Sequence, residues 1–299
     1  MSHPAIAILP AGSKPRLRPG QLGLDRLWWP MGQPGGLQGG RLRDLGPDDH
    51  LIVFLRDALQ HPRGFGTPAK VSVILAEPRA IHGHLMQRLH RGAGRFHRIL
   101  TYDPAVLHAL SNAVFFPLGM TWVPDWRSRD TAKTRSCSLI ASAKRSQEGH
   151  RLRHEIAARV QSQGLDVDLL GLGYSPFKDK ADGLAPYRYS IVIENVREAN
   201  YFSEKLIDSL LLQTVPIYWG CPNIGDFIDE SAMIVCNSAR DIMQAVAAAS
   251  PGDYAARLPA LRAAHGQAEH WADWQTRAAR SVLDETPVPA PQAMGGQIP

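Results

Sequence analysis

Short apolar runs, each closed by a turn residue or a charge, recur along this chain and alternate with stretches whose apolar positions fall three and four apart. The short runs predict buried strands and the wider spacing predicts helices. In the first half, strands are expected over Leu51–Leu55, Val71–Leu75, Ile99–Tyr102 and Ala113–Pro117, with helices over Ile81–Leu89 and Pro104–Leu110. After a polar linker, Asp125–Arg135, the pattern begins again. Strands are expected over Ser138–Ala141, Val167–Leu170, Tyr189–Ile193 and Val215–Tyr218, with a helix over Gly149–Gln163. A further helix is opened by Ser203 as N-cap and carries Leu206, Ile207, Leu210 and Leu211 on one face.

Alternating strands and helices predict parallel sheets. Two such units in succession predict an α/β fold of two Rossmann-like domains facing across a cleft, with boundaries at residues 1–130 and 131–285. The chain turns helical again from Tyr254 to about Leu283, and a Pro/Gly/Ala-rich tail, 286–299, reads as disordered. Residues 10–47 are rich in Gly and Pro without periodicity and read as a long irregular segment or an insertion. The length, 299 residues, favours two domains over one.

Composition narrows the function classes. The net charge of +5 is modest and suits an anionic small ligand without calling for nucleic acid. Arg88, Arg91, Arg95 and Arg98 form a basic stripe, read as a solvated helix face. Cys137, Cys221 and Cys236 are too far apart for a C-x-x-C metal or disulfide motif, which fits a reducing compartment. The apolar run Ala5–Leu9 is too short for a signal-peptide core, and no stretch approaches the roughly 20 apolar residues that span a bilayer. The expectation is a cytoplasmic protein without a transmembrane segment.

The chemistry concentrates between Tyr187 and Asp229. Glu194 and Asn195 follow the strand Tyr189–Ile193 at its carboxyl end, where open α/β sheets place ligands. Glu204 and Lys205 then sit in the first turn of the next helix, near the mouth of any such site. Holding a diphosphate leaving group without a metal requires Lys, Arg and backbone amides at a helix start, which points to Lys205 and Arg153. A ribose diol is commonly met by a carboxylate, which points to Glu204. Dipole and solvation alone also favour a Glu-Lys pair in a first turn. Glu194 is open to two readings, a ligand contact or a carboxylate capping a neighbouring turn. Arg151 and Arg153, two apart, point to different faces of their helix.

This segment resembles the donor-binding core of the α-1,3-fucosyltransferases, glycosyltransferase family 10. The resemblance rests on Glu194-Asn195, on Tyr201-Phe202-Ser203-Glu204-Lys205 and on Thr214-Val215-Pro216-Ile217-Tyr218-Trp219-Gly220-Cys221-Pro222. It extends more loosely to Gly149-His150-Arg151-Leu152-Arg153 and Leu75-Ala76-Glu77-Pro78, covering roughly residues 70–235. It implies the GT-B fold, with the nucleotide in the carboxyl-terminal domain, GDP-fucose as donor and a glycan or other saccharide as acceptor. It also implies that Asn195, Glu204 and Lys205 contact the nucleotide, with Tyr201 beside the phosphates or base. No tightly bound cofactor is implied. Divalent-cation stimulation stays open, since some GT-B enzymes show it without a bound metal.

Inverting transfer also needs a base for the acceptor hydroxyl. Glu77, after the strand Val71–Leu75, is the candidate, and the family's proposed base occupies a comparable strand end. The alternative is that Glu77-Pro78 only starts a helix. Asp103, before Pro104, is in reserve. His82 with His84, and His150 with His154, have metal-like spacings but no completing carboxylate, so no metal is expected, and His150 is placed near the donor phosphates instead. Gly171-Leu172-Gly173 lacks the third glycine of a dinucleotide turn, and the resemblance makes it the loop after the second strand of the donor domain. Trp28, Trp29, Trp122 and Trp126 could stack on sugars or pack in the core. Two alternatives remain beside fucosyl transfer: the same scaffold with another nucleotide sugar, and a catalytically idle glycan- or nucleotide-binding module.

Overall fold

The computed structural model describes residues 3–13 and 18–283, so the tail expected over 286–299 lies outside the described residues. The chain divides into two compact units. The first comprises the chain up to Pro117 together with the helix that begins at Trp274, and the second runs from Leu118 to Asp273. The division falls ahead of the boundary expected at residue 130, and the last helix joins the first unit.

In the first unit, strands β1 (Ile6–Ile8), β2 (His50–Phe54), β3 (Lys70–Ile74), β4 (Ile99–Thr101) and β5 (Ala113–Phe115) form a parallel sheet in sequential order. Helices α1 (Leu55–Gln60), α2 (Arg79–His90) and α3 (Pro104–Ala109) connect them. The run Ala5–Leu9 is buried throughout and contains strand β1, paired with β2. Asp103 opens α3 by accepting from the amides of Ala105 and Val106, with Pro104 at the first helical position. Between Pro19 and Asp44, the Gly/Pro-rich stretch before β2 forms four short 3-10 turns. Its leucines Leu24, Leu27, Leu42 and Leu45 nevertheless reach the same core as Leu51, Val53, Val73 and Leu75 of the sheet. The arginine stripe does not form a helix face: Arg88 lies in α2, which ends at His90, while Arg95 donates to the carbonyls of Ala58, His61 and Pro62.

In the second unit, β6 (Arg135–Ile140), α4 (Glu148–Ser162), β7 (Val167–Leu170), β8 (Tyr187–Ile193), α5 (Glu204–Leu211), β9 (Val215–Trp219), β10 (Ile234–Val235) and α6 (Ala239–Ala248) follow in turn. The sheet is again parallel, in the order β10-β9-β8-β6-β7. The chain lays β7 on one side of β6 and then returns to place β8 on the other. The strand order therefore reverses between β6 and β8, and in open α/β sheets the connections at such a reversal diverge and leave a crevice at the strands' carboxyl ends. The first unit's sequential sheet has no such reversal. Two helices, α7 (Pro251–Ala263) and α8 (His265–Ala272), complete the second unit.

The final helix, α9 (Trp274–Leu283), packs in the first unit, where the Trp274 ring meets those of Trp28 and Phe54 at 5.8 and 5.7 Å. Trp28 and Trp29 thus serve packing: Trp28 also bridges to Ile8 through backbone hydrogen bonds, and the Trp29 indole donates to the Leu24 carbonyl. Among the described residues, no helix is long and apolar enough to cross a membrane.

Candidate active site

A cavity of about 270 Å³ lies at the β6/β8 reversal, near the lower end of the size usual for small-molecule sites. Ile140 and Ser142 from the end of β6, Lys144 from the following loop, His150 and Arg153 from α4, and Ile193 and Asn195 from the end of β8 line it. Glu204, Lys205 and Ser209 of α5, Lys180 with Leu184, and Trp122 close the rest. Of the residues singled out from sequence, Trp122, His150, Arg153, Asn195, Glu204 and Lys205 meet in this cavity. Glu194 and Tyr201 are buried and do not line it. Glu77 stands in the first unit, half-buried in the bend between β3 and α2.

Why Arg153 is held is clear from its partners. Its Nε donates to the Ile193 carbonyl at 3.0 Å, and its Nη2 donates to the same carbonyl and to Asn195 Oδ1 at 3.1 Å. The guanidinium fork ties α4 to the end of β8, a geometry a lysine ammonium cannot reproduce. Burial pulls its pKa down, opposed by the charges of Glu194, Tyr201 and Glu204. Arg151 points elsewhere, donating to the carbonyls of Arg145 and Ser146. Gly149 is required by the same junction. Its amide donates to the Asn195 carbonyl at 3.0 Å, and a Cβ there would stand 1.7 Å from the Glu194 carbonyl oxygen.

Glu194 is fully buried and caps α5. Its Oε1 accepts from the Ser203 amide at 2.8 Å and its Oε2 from the Ser203 hydroxyl at 2.7 Å, while Ser203 Oγ accepts from the Lys205 amide. Of the two readings left open for Glu194, the geometry supplies the cap. The turn after β9 braces this carboxylate, since a Cβ on Gly220 would meet Glu194 Cγ at 2.6 Å. Asn223 exchanges hydrogen bonds with Asn200, which sits at a left-handed φ of 64° in the loop that carries Tyr201.

Glu204 and Lys205 form an ion pair at 3.0 Å, and Lys205 lies 3.6 Å from Glu194. Burial disfavours the Lys205 charge, but Glu204 and Glu194 outweigh it and raise its pKa above the ordinary value. Burial likewise works against the Glu204 carboxylate, and Lys205 and Lys180 overcome it and hold its pKa low. Both stay charged at neutral pH. His150 accepts from the Gln147 amide through Nδ1 at 3.2 Å. Burial and the positive charges of Arg153, Lys144 and Lys205 keep its pKa low, so the ring is neutral and carries its proton on Nε2. His154 hydrogen-bonds Tyr174 and the Lys144 carbonyl instead of pairing with His150.

Among the charged groups of the site, Lys144, Lys180 and the buried Asp208 behind the wall were not read from sequence. Lys180 pairs with Asp208 at 2.7 Å and reaches Glu204 Oε1 at 3.8 Å. Asp208 is fully buried and also accepts from Thr121 Oγ1 and the Trp122 amide. Its signal was present: a carboxylate interrupting the apolar face of α5, one turn after Glu204. Lys180 lies in a 3-10 turn without periodicity and gave none. Asp103, the reserve base, is committed elsewhere, capping α3 and pairing with Arg79. Gly171, at a φ of 104°, lets the loop after β7 pass against the Ala141 carbonyl, which a Cβ would meet at 2.3 Å.

The family model for glycosyltransferase family 10 (fucosyltransferase), C-terminal part, matches residues 130–281, just over half of the chain. The chain belongs to glycosyltransferase family 10. Within this family it is 29% identical over 75 residues to the alpha-(1,3)-fucosyltransferase FucT of Helicobacter pylori, an alignment covering 25% of this chain and 16% of that protein. It is 40% identical over 53 residues to a putative fucosyltransferase-like protein of Arabidopsis thaliana, covering 18% and 10%. The matched stretches are thus a sixth or less of the curated relatives' length. Among solved structures, the trehalose-6-phosphate synthase OtsA superposes with a TM-score of 0.51 at 10% identity, covering 82% of this chain and 74% of that one. An alpha1,3-fucosyltransferase solved with GDP gives 0.47 at 16% identity, covering 79% and 78%. The family-10 chain has the expected fold class, α/β of the GT-B type with two Rossmann-like units.

Proposed function

We propose that this family-10 chain is an inverting fucosyltransferase that moves fucose from GDP-fucose to a hydroxyl of a glycan, in an α-1,3 linkage. The observation that carries the reading is the cavity at the β6/β8 reversal, which lies in the unit matched to the family and is lined by Lys144, Arg153, Lys180 and Lys205 with Glu204 among them. Asp208 pairs with Lys180, and Glu204 and Glu194 lie against Lys205, so the four cations exceed the three carboxylates by one positive charge, which an anionic diphosphate would meet. Lys205 and Arg153 hold the GDP oxygens as negative charge develops on them, and Glu204 accepts from the ribose hydroxyls. Glu77 takes the proton of the acceptor hydroxyl. The acceptor oxygen then attacks the anomeric carbon from the face opposite the phosphate, the bond from that carbon to the phosphate oxygen breaks, and GDP leaves.

The buried, unpaired Cys137, Cys221 and Cys236 support a reducing compartment such as the cytoplasm. Calorimetric and thermal-shift titration with GDP, UDP, ADP, CMP, GDP-fucose and GDP-mannose tests the donor. GDP and GDP-fucose stabilise the wild type selectively, and Lys205→Ala abolishes the effect and lowers turnover on the order of a hundredfold. A preference for UDP or CMP overturns the donor assignment, and tight GDP binding with no transfer to any acceptor identifies an idle module. Glu77→Gln keeps GDP binding and loses transfer. Parallel assays with and without Mg²⁺ decide the cation question.

A further inference from the structure

We propose that Trp122 and Lys180 form the nucleobase end of the donor cavity and that Asp208 positions both, an inference that rests on the donor-site reading and deepens it. The side chains follow one another in a fixed sequence. The Trp122 ring centroid is 5.0 Å from Lys180 Nζ, Lys180 Nζ is 3.8 Å from Glu204 Oε1, and Glu204 Oε1 is 3.0 Å from Lys205 Nζ. Aromatic surface, carboxylate and cation therefore succeed one another along the wall. A nucleoside diphosphate has the same sequence: aromatic base, vicinal ribose hydroxyls, phosphates. With Glu204 on the ribose and Lys205 on the diphosphate, the base falls on the side of Glu204 away from Lys205, where the aromatic surface is Trp122.

Trp122 is suited to that task by what it lacks. Tryptophan is usually well covered, yet this side chain is 61% exposed while lining the cavity. Stacking of a base would cover it. The ammonium of Lys180 already lies over the ring, the cation–π geometry that holds an indole in place.

Asp208 is the common anchor. Its Oδ2 receives Lys180 Nζ at 2.7 Å, and its carboxylate accepts from the Thr121 hydroxyl and from the Trp122 amide at 3.2 Å. A buried charge of this kind is retained only with a partner, and removing either member leaves the other uncompensated. Asp208 does not itself line the cavity, so it acts through Lys180 and Trp122 as a positioning residue.

Calorimetry with two probes, GDP and inorganic pyrophosphate, isolates the base end, because pyrophosphate engages the phosphate end alone. Trp122→Ala, an exposed site where folding is not at stake, raises the Kd for GDP about tenfold, the usual loss on removing one stacking ring. Trp122→Phe restores most of the affinity, and pyrophosphate binding is unchanged in both. Asp208→Asn, checked for a cooperative melt, weakens GDP and spares pyrophosphate likewise. Wild-type affinity for GDP in Trp122→Ala, or an equal loss for pyrophosphate, overturns the inference. Lys205→Ala separates the two levels. If it loses both probes while Trp122→Ala binds GDP normally, only the base assignment falls. If the wild type binds neither probe, or Lys205→Ala binds both unchanged, the donor-site reading falls and this inference with it.

Discussion

At the scale of single residues, the site depends on close approach as much as on charge. Gly149 brings the amino end of α4 onto the end of β8, and an added methyl would lie 1.7 Å from the Glu194 carbonyl oxygen, a backbone atom that cannot turn aside. Gly149→Ala is therefore expected to destabilise the second unit by about 2–4 kcal/mol, as overpacking against backbone does. Thermal unfolding would show it as a melting transition lowered by roughly 5–10 °C, with GDP binding weakened because Arg153 and Asn195 lose their register. An unchanged melt would mean that the strand end yields freely. The residues of the site were unequally legible. Glu204 and Lys205 stand in a first helical turn after a capping serine, and local pattern suffices to find them. Lys180 reaches the cavity from an aperiodic turn and is identified only by its partner Asp208.

At the scale of elements, α5 is the part of the site most exactly specified, because its start is fixed by two side chains acting together. Glu194 holds the Ser203 amide and hydroxyl, and Ser203 holds the Lys205 amide. Glu194→Gln keeps one acceptor and loses the other together with the ionic contact to Lys205. A loss of about 1–2 kcal/mol in urea unfolding is expected, with GDP affinity changed by much less than the loss in Lys205→Ala. A hundredfold loss of GDP affinity at unchanged stability would instead make Glu194 a ligand contact. Long elements with sustained periodicity, such as α4 and β8, were readable in the sequence. β1 lies in the apolar run Ala5–Leu9, which was weighed only against a signal peptide, and β10, with two residues, carries no period; pairing with β2 and β9 makes them strands. The stretch between Gly12 and Gly46 shows why composition misleads: its glycines mark turns, while isolated leucines supply its core contacts.

At the scale of the whole molecule, acid sensitivity is expected to reside partly in the first unit. His50 is buried at the start of β2, and burial, with the neighbouring His97 and Lys70 charges, lowers its pKa from 6.5 to about 4 against the weaker pull of Asp49 and Asp48. In the unfolded chain the ring takes up a proton near pH 6.5, and in the folded protein only near 4. The unfolded state binds more protons between these values, so stability is full above about pH 6.5 and declines as pH falls towards 4, by about 3 kcal/mol from this group. Denaturant titrations across that range should show the decline, and His50→Leu should flatten it; an identical slope in the variant would assign the acid response elsewhere. Two α/β units were legible from the repeat of strand and helix patterns. Their division was not, because helicity from Tyr254 to Leu283 says nothing about which sheet each helix covers, and the contacts of α9 decide it: Trp274 with Trp28 and Phe54, Arg277 with the Phe116 ring and the Pro117 carbonyl, and the Val282 carbonyl with His97. That last attachment has a consequence for biosynthesis. A leading unit ordinarily folds first as the chain leaves the ribosome. Here the leading unit waits for α9, made after the whole of the other unit, whereas Leu118–Asp273 is unbroken in sequence and complete sooner. The first unit therefore receives α9, and with it the Trp274 contacts to Trp28 and Phe54, only after the whole of the second unit has been synthesised.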